Sequence, residues 1–300
     1  MAGTKAHHVI TRHVAPLVPV ALALASHIVA PGKPGPAVMA PAPAGAIVAA
    51  KCEEVADLHA CHGSYPTGCS PSGAYDPYLN YLKNQLIPPP TATAPPTLLT
   101  QADIHNLDQV IPPQLGGHSN NHAQFKDVLA QNGEGKVFSL IGYLYYAKFS
   151  GAESSNCELA KDDAEGTNVD FHIYIGFDSA LASKLRSKQP LSPEEKKSIT
   201  QTSIIVEMTP HYRAAFEEGV WTLDALTRVL GSQVRVTGQL MADSEHNVSG
   251  QNCALGLTPA CWRASIWELH PVTGFQVCKD SSNACAPGSS AWAELSHPGP

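Results

Sequence analysis

Basic residues are scarce in this 300-residue sequence: 19 Lys and Arg stand against 26 Asp and Glu, a formal charge of −7. In the densest region, 136–278, 12 basic residues face 16 acidic ones, and no stretch gathers Lys and Arg into a stripe. Nucleic-acid binders draw much of their affinity from neutralised phosphates. The balance therefore argues against nucleic acid as the main partner. No cysteine pair has C-x-x-C spacing, which argues against a zinc knuckle or a thioredoxin-like redox site. There is no Gly-x-Ser-x-Gly elbow and no phosphate-cradling P-loop. Past the first thirty residues no apolar run is long enough to span a bilayer, so no transmembrane span is expected once a signal is removed.

What is present begins with an export signal. Lys5 and Arg12 precede an apolar stretch from Val14 to Ala25, and Ala23-Leu24-Ala25 fits the small-x-small cleavage rule. Residues 1–30 are read as a signal peptide and 31–51 as a Pro/Ala linker. Cysteine parity agrees. Cys52, Cys61, Cys69, Cys157, Cys253, Cys261, Cys278 and Cys285 all lie beyond the signal, an even set suited to an oxidising compartment. The expected localisation is secreted or periplasmic. Local closure within 52/61/69, within 253/261 and within 278/285 is plausible from spacing, leaving one cysteine of the first cluster for Cys157. His62 beside Cys61 is a weak metal hint.

Residues 52–135 read as a Cys-bearing, loop-rich segment with short helices, a lid or brace on the main domain. Asp76-Pro77 starts one helix, with Leu79, Leu82 and Leu86 at helical spacing. Phe125, Val128 and Leu129 mark another, stopped near Gly133. The Pro-rich stretch around 87–117 has little to bury.

From Lys136 the period becomes two. Strands are expected over Val137–Ala147, Val169–Ile175, Ser203–Met208, Val234–Leu240 and Ala264–Val277, the last interrupted near Pro271 and Gly274. Thr222, Leu223, Leu226, Leu230 and Gly231 outline a helix between the third and fourth strands. That order fits a mainly β chain: a five-stranded OB-fold-like barrel with its helix between strands three and four, over 136–279. A Pro/Gly/Ser-rich tail, 280–300, is expected to be disordered.

Four segments, Val169-Asp170-Phe171-His172-Ile173, Val234-Arg235-Val236-Thr237-Gly238, Asp243-Ser244-Glu245-His246 and Trp267-Glu268-Leu269-His270-Pro271-Val272, resemble a group of secreted bacterial proteins with an OB-fold-like domain. The resemblance covers about half the chain. It implies that these segments belong to one domain, and it brings no activity with it.

Two strands place a carboxylate and an imidazole at i and i+2, hence on one face: Asp170 with His172, and Glu268 with His270. Glu207 ends the third strand and His246 follows the fourth. Should the barrel bring these ends together, a mixed His/carboxylate site for Zn, Mn or Fe results, and a metal with an open position activates water. A plainer reading competes: Asp170 and His172 on a solvent face need no function, and Glu268 with His270 can simply hydrogen-bond a loop around Pro271. His118-x3-His122 has helical ligand spacing but sits in Gly- and Asn-rich sequence. The aromatics of the first strand, Phe138, Tyr143, Tyr145 and Tyr146, suit a core better than a stacking face. Two functions therefore stand: an exported binding module with an unknown ligand, or a divalent-metal-dependent hydrolase, with phosphodiesters as one substrate class.

Overall fold

The computed structural model describes residues 47–89, 96–117, 119–160, 164–217 and 219–295. The signal peptide, most of the linker, His118 and residues 296–300 lie outside the described residues. Among the described residues, seven strands and eight α-helices follow one another as α1 (Leu58–Ser64), α2 (Pro77–Lys83), β1 (Thr97–Leu99), α3 (Gln101–Asp108), α4 (His122–Gln131), β2 (Val137–Phe149), β3 (Phe171–Gly176), α5 (Ser179–Arg186), α6 (Pro193–Gln201), β4 (Ile204–Met208), α7 (Pro210–Phe216), α8 (Leu223–Arg228), β5 (Gln233–Ala242), β6 (Trp267–Cys278) and β7 (Trp292–Glu294).

Five strands close a barrel in the order β2-β3-β4-β6-β5 and back to β2. All neighbours are antiparallel except β4 and β6. This is the OB-fold-like barrel expected from the sequence, and α7 and α8 occupy the interval between its third and fourth strands. Closure is possible because β2 is long enough to serve two partners: Val137–Tyr143 pairs with β5 and Tyr143–Phe149 with β3. Between them the register shifts, at Leu144/Tyr146. Gly176 is required opposite this bend. A Cβ there would lie 1.8 Å from the ring of Tyr145, which is itself buried and bonded through its hydroxyl to Asp178 O.

The helices start where capping chemistry dictates. Asp76 accepts from the amides of Tyr78 and Leu79, with Pro77 in the first turn. Ser192 and Glu195 form a reciprocal capping box, and Thr222 accepts from Ala225 N. The barrel core is one apolar cluster. Phe171, Ile173 and Ile175 of β3 meet Val206, Val236, Leu240 and Phe275, and α8 closes one end with Leu226. Phe171 is fully buried, with Phe149 edge-on at 5.4 Å and the Arg213 guanidinium 3.6 Å above its ring.

Three expectations need correction. The stretch around 87–117 was expected to bury little, yet it holds β1, paired parallel with β2, and α3. Leu99, Ile104 and Leu115 from it enter the core, because β1 extends the sheet beside β2 and these apolar residues join the barrel cluster. The tail 280–300 was expected to be disordered, but β7 pairs with β6. Trp292 explains it: its indole donates to Ala286 O and its ring carries the Arg235 guanidinium at 5.2 Å. Finally, β6 runs as one strand through Pro271 and Gly274, and the interruption expected there shows only in its pairing, whose register against β5 shifts between Gly274 and Val272 and again between Val272 and Leu269.

The alternation of β3 holds, but its second face is not a solvent face. Every residue of β3 and of β4 is buried. The outer wall of β3, β4 and β6 lies beneath a cover made from 52–89 and the loops after β2 and β5. Leu79 and Leu82 of α2 pack on Met241, and Gln239 donates to Leu82 O. His62 of α1 stacks on His211 of α7, with ring centroids 3.9 Å apart and planes 9° from parallel.

All eight cysteines are paired: Cys52–Cys69, Cys61–Cys157, Cys253–Cys261 and Cys278–Cys285. Cys61–Cys157 ties α1 to the loop after β2 across 96 residues. His62, the weak metal hint, sits beside this bridge and stacks on His211.

Candidate metal centre

The covered wall carries an ionisable cluster where β3, β4 and β6 run side by side. Period-two alternation puts Phe171, Val206 and Leu269 into the barrel and sends Asp170, His172, Glu207, Glu268 and His270 outward. Register then sets the contacts, since His172 is the cross-strand partner of Glu207. Its Nε2 lies 3.1 Å from Glu207 Oε1. Glu207 Oε2 faces His270 Nδ1 at 3.5 Å, and the same Nδ1 is 3.0 Å from Glu268 Oε1. On its other side, His270 Nε2 lies 3.4 Å from Asp170 Oδ2. All five residues are buried, four of them at 1 % exposure or less.

Five of the six sequence-chosen residues thus converge. The sixth, His246, stands at the rim, bonded through Nδ1 to Asp243 and edge-on to Trp262 at 5.0 Å. The solvent face expected for Asp170 and His172 in the plainer reading is overturned by their burial. Of the paired histidines near the cover, His118 lies outside the described residues. His122 is buried among Ser244 and Glu134 and belongs to a separate structural hydrogen-bond group.

The sequence left five participants unassigned. Glu153, in the loop after β2, approaches His172 Nε2 at 3.8 Å. Lys83, in the last turn of α2, pairs with Glu153 at 3.0 Å and is itself buried. Its place one turn after Leu79, on the apolar face of its helix, was the available signal. Asp243 lay unremarked in the Asp243-Ser244-Glu245-His246 segment. It pairs with Arg263 at 3.0 Å, and Arg263 reaches Glu268 at 3.3 Å. The cover also brings Asn156, which donates to Asp170 Oδ1 at 2.9 Å. Glu153 and Asn156 flank a 3-10 turn fixed by Cys61–Cys157 and by Cys69 N donating to Ser154 O at 2.8 Å. Gly68, at φ +75°, permits that approach: a Cβ would come within 2.0 Å of Ser154 O.

The charges are out of balance. Glu153, Asp170, Glu207, Asp243, Glu245 and Glu268 interact electrostatically with one another, and Lys83 and Arg263 are the permanent cations among them. Burial alone would discharge the histidines. The facing carboxylates outweigh it, Glu207 first, and hold His172 at about 10 and His270 at about 9. Burial and then the charge of Glu153 push Asp170 up to about 7. Burial works against the charge of Glu207 too, but the imidazoliums of His172 and His270 prevail and hold its carboxyl down at about 2. Burial, with Glu207 and Asp243, raises Glu268. Despite so many partners, Asp170 Oδ2, Glu207 Oε2, His172 Nδ1 and His270 Nε2 are inaccessible and accept or donate no hydrogen bond. Buried polar atoms without hydrogen bonds are costly, and a bound water or ion would satisfy them.

Ligand atoms from three trios approach within 4.8 Å of one another: Glu153-His172-Glu207, Asp170-Glu207-His270 and Glu207-Asp243-Glu268. Imidazole and carboxylate donors together suit Zn, Mn or Fe. Glu268 on His270 Nδ1 supplies the carboxylate–histidine support that metal-ligating imidazoles usually have. A surface cleft of 570 Å³ lined by Tyr143, Ser179 and Arg186 shares no residue with this cluster. Among the described residues no helix is long and apolar enough to cross a membrane. No known protein family matches the sequence, and neither a curated protein nor a solved structure matches the chain.

Proposed function

We propose that the chain is an exported OB-fold-like binding module whose buried centre takes up a divalent cation. One observation carries this reading: inaccessible ligand atoms of Asp170, Glu207 and His270, without hydrogen bonds, converge on the wall formed by three adjacent strands. Export is supported by four disulfides, which persist in oxidising compartments, together with the signal-like start of the sequence. The same segments that resemble secreted bacterial proteins supply the ligands, and membership of that group is part of the proposal. The acidic balance around the centre keeps nucleic acid an unfavoured partner.

Elemental analysis tests this directly. Protein recovered from an oxidising compartment, or chelated and re-dialysed against Zn²⁺ or Mn²⁺, should retain at least one ion per chain. Glu207→Gln, nearly isosteric, should release it while far-UV circular dichroism stays native. Retention of no ion at micromolar free metal would sink the proposal.

Hydrolysis is the second reading, and one feature favours it. The flank of the centre formed by Glu153 and His246 reaches the surface, with side chains 20 % and 25 % exposed. A bound cation with an open coordination position would supply activated water there. Turnover of an activated phosphodiester by the loaded wild type, absent from Glu207→Gln, separates this reading from binding alone.

A further inference from the structure

We propose that the centre is built for two divalent cations bridged by Glu207. The inference rests on the reading that the cluster binds a cation at all, and it deepens that reading by assigning a second site. Its basis is the way the two oxygens of Glu207 divide the cluster. Oε1 faces His172 at 3.1 Å, and Glu153 joins it from the cover. Oε2 faces His270 Nδ1 at 3.5 Å, and Asp170 Oδ2 lies 3.4 Å from Nε2 on the other edge of the same ring. Each side offers a complete trio of ligand atoms, with Glu207 the one residue common to both. A carboxylate that gives one oxygen to each of two ions holds them roughly 3.5–4 Å apart, the spacing of two-metal sites.

The unused atoms agree with this division. Glu207 Oε2, Asp170 Oδ2 and His270 Nε2 are inaccessible and without hydrogen bonds on the inner side, while Glu268 occupies His270 Nδ1 and leaves Nε2 for an ion. On the outer side, Lys83 engages Glu153 Oε2 and leaves Oε1 turned toward His172. The third trio does not add a further ion. The Arg263 guanidinium already stands there as a fixed cation, 3.0 Å from Asp243 Oδ2 and 3.3 Å from Glu268 Oε2, although Asp243 Oδ1 keeps no hydrogen bond.

The carboxylates of the cluster outnumber its permanent cations, Lys83 and Arg263, so a divalent cation meets an excess of acidic groups on either side of Glu207. The outer site lies at the partly exposed flank and the inner one is sealed, so the two should fill with different kinetics.

The experiment uses the full-length, disulfide-intact chain, stripped with chelator and titrated with Mn²⁺. Stoichiometry is read by equilibrium dialysis with elemental analysis, and proximity by low-temperature electron paramagnetic resonance. Two ions per chain and the signal of a spin-coupled pair are expected. Glu153→Gln, altered at a partly exposed loop residue, should bind one ion and give an uncoupled six-line spectrum. Saturation of the wild type at one ion, two ions without coupling, or two ions retained by Glu153→Gln would each overturn the bridged pair while leaving a cation centre standing. No binding at all would overturn both.

Discussion

Replacing both His62 and His211 with Phe should flatten the acid sensitivity of this protein. The two rings stack between the cover and the barrel. Burial, then the neighbouring His211, lowers His62 to about 3, and burial lowers His211 to about 4. Each therefore stays neutral in the folded chain at pH values where the unfolded chain, at about 6.5, has taken up a proton. The unfolded state binds more protons throughout that window, so stability is full above pH 6.5 and is lost as pH falls toward the folded values. At pH 5 the unfolded side chain lies about 1.5 units below its own pKa, which costs about 2 kcal/mol per histidine and about 4 kcal/mol for the pair. The assay is urea unfolding followed by circular dichroism at pH 7.5 and 5.0, with chelator present and disulfides intact. His172 and His270, whose pKa values are raised, contribute with the opposite sign: their stabilisation is complete below about 6.5 and lost as pH rises through 9 to 10. That contribution is the same in wild type and variant and cancels in the difference. Phe preserves a flat ring at both positions, so packing changes little. Should the double variant lose as much stability as the wild type between the two pH values, the stacked pair is not the acid-sensitive contact.

Two further outcomes follow from the packing. Phe171→Ala removes a fully buried ring from between Phe149 and Arg213, and should cost about 3–5 kcal/mol in urea unfolding with the barrel retained; a loss below 1 kcal/mol would mean that β3 does not anchor the core. Thiol titration of exported, denatured, unreduced protein should find no free cysteine among the eight, and two or more reactive thiols per chain would contradict the pairing.

The barrel was legible because its signals are local. Val169, Phe171, Ile173 and Ile175 announce one apolar face, and Thr222 with Leu226 announces the helix between strands three and four. Cysteine parity and spacing narrowed the bridges for a similar reason, since Cys253–Cys261 and Cys278–Cys285 close over 8 and 7 residues. The centre was half legible. The i, i+2 pairs Asp170/His172 and Glu268/His270 state which side chains share a face, but not what lies on top of them. Glu153, Lys83 and Asn156 arrive from the cover, and the bridge that fixes the cover spans 96 residues. No pattern within a strand encodes that distance. The helices α5 and α7 were missed although α2 and α8 are no longer, because neither repeats leucines as Leu79, Leu82 and Leu86 or Leu223, Leu226 and Leu230 do. Their caps, Asp178 and Thr209, were a local trace.

The alternation along β3, β4 and β6 also decides which misfolded pairings are available to the chain. In an ordinary half-exposed sheet, a strand that slips by one residue exposes its apolar side chains to water and loses their burial. Here a one-residue slip would do more, because the opposite faces of these strands carry Asp170, His172, Glu207, Glu268 and His270. Those groups would be driven into a space lined by Ile173, Val206, Leu269 and Phe275, with no counter-charge to meet them. Each unpaired ion there costs several kcal/mol. The same residues that assemble the centre therefore guard the pairing of the strands, and a variant that neutralises them all should lose fidelity of strand alignment along with its affinity for cations.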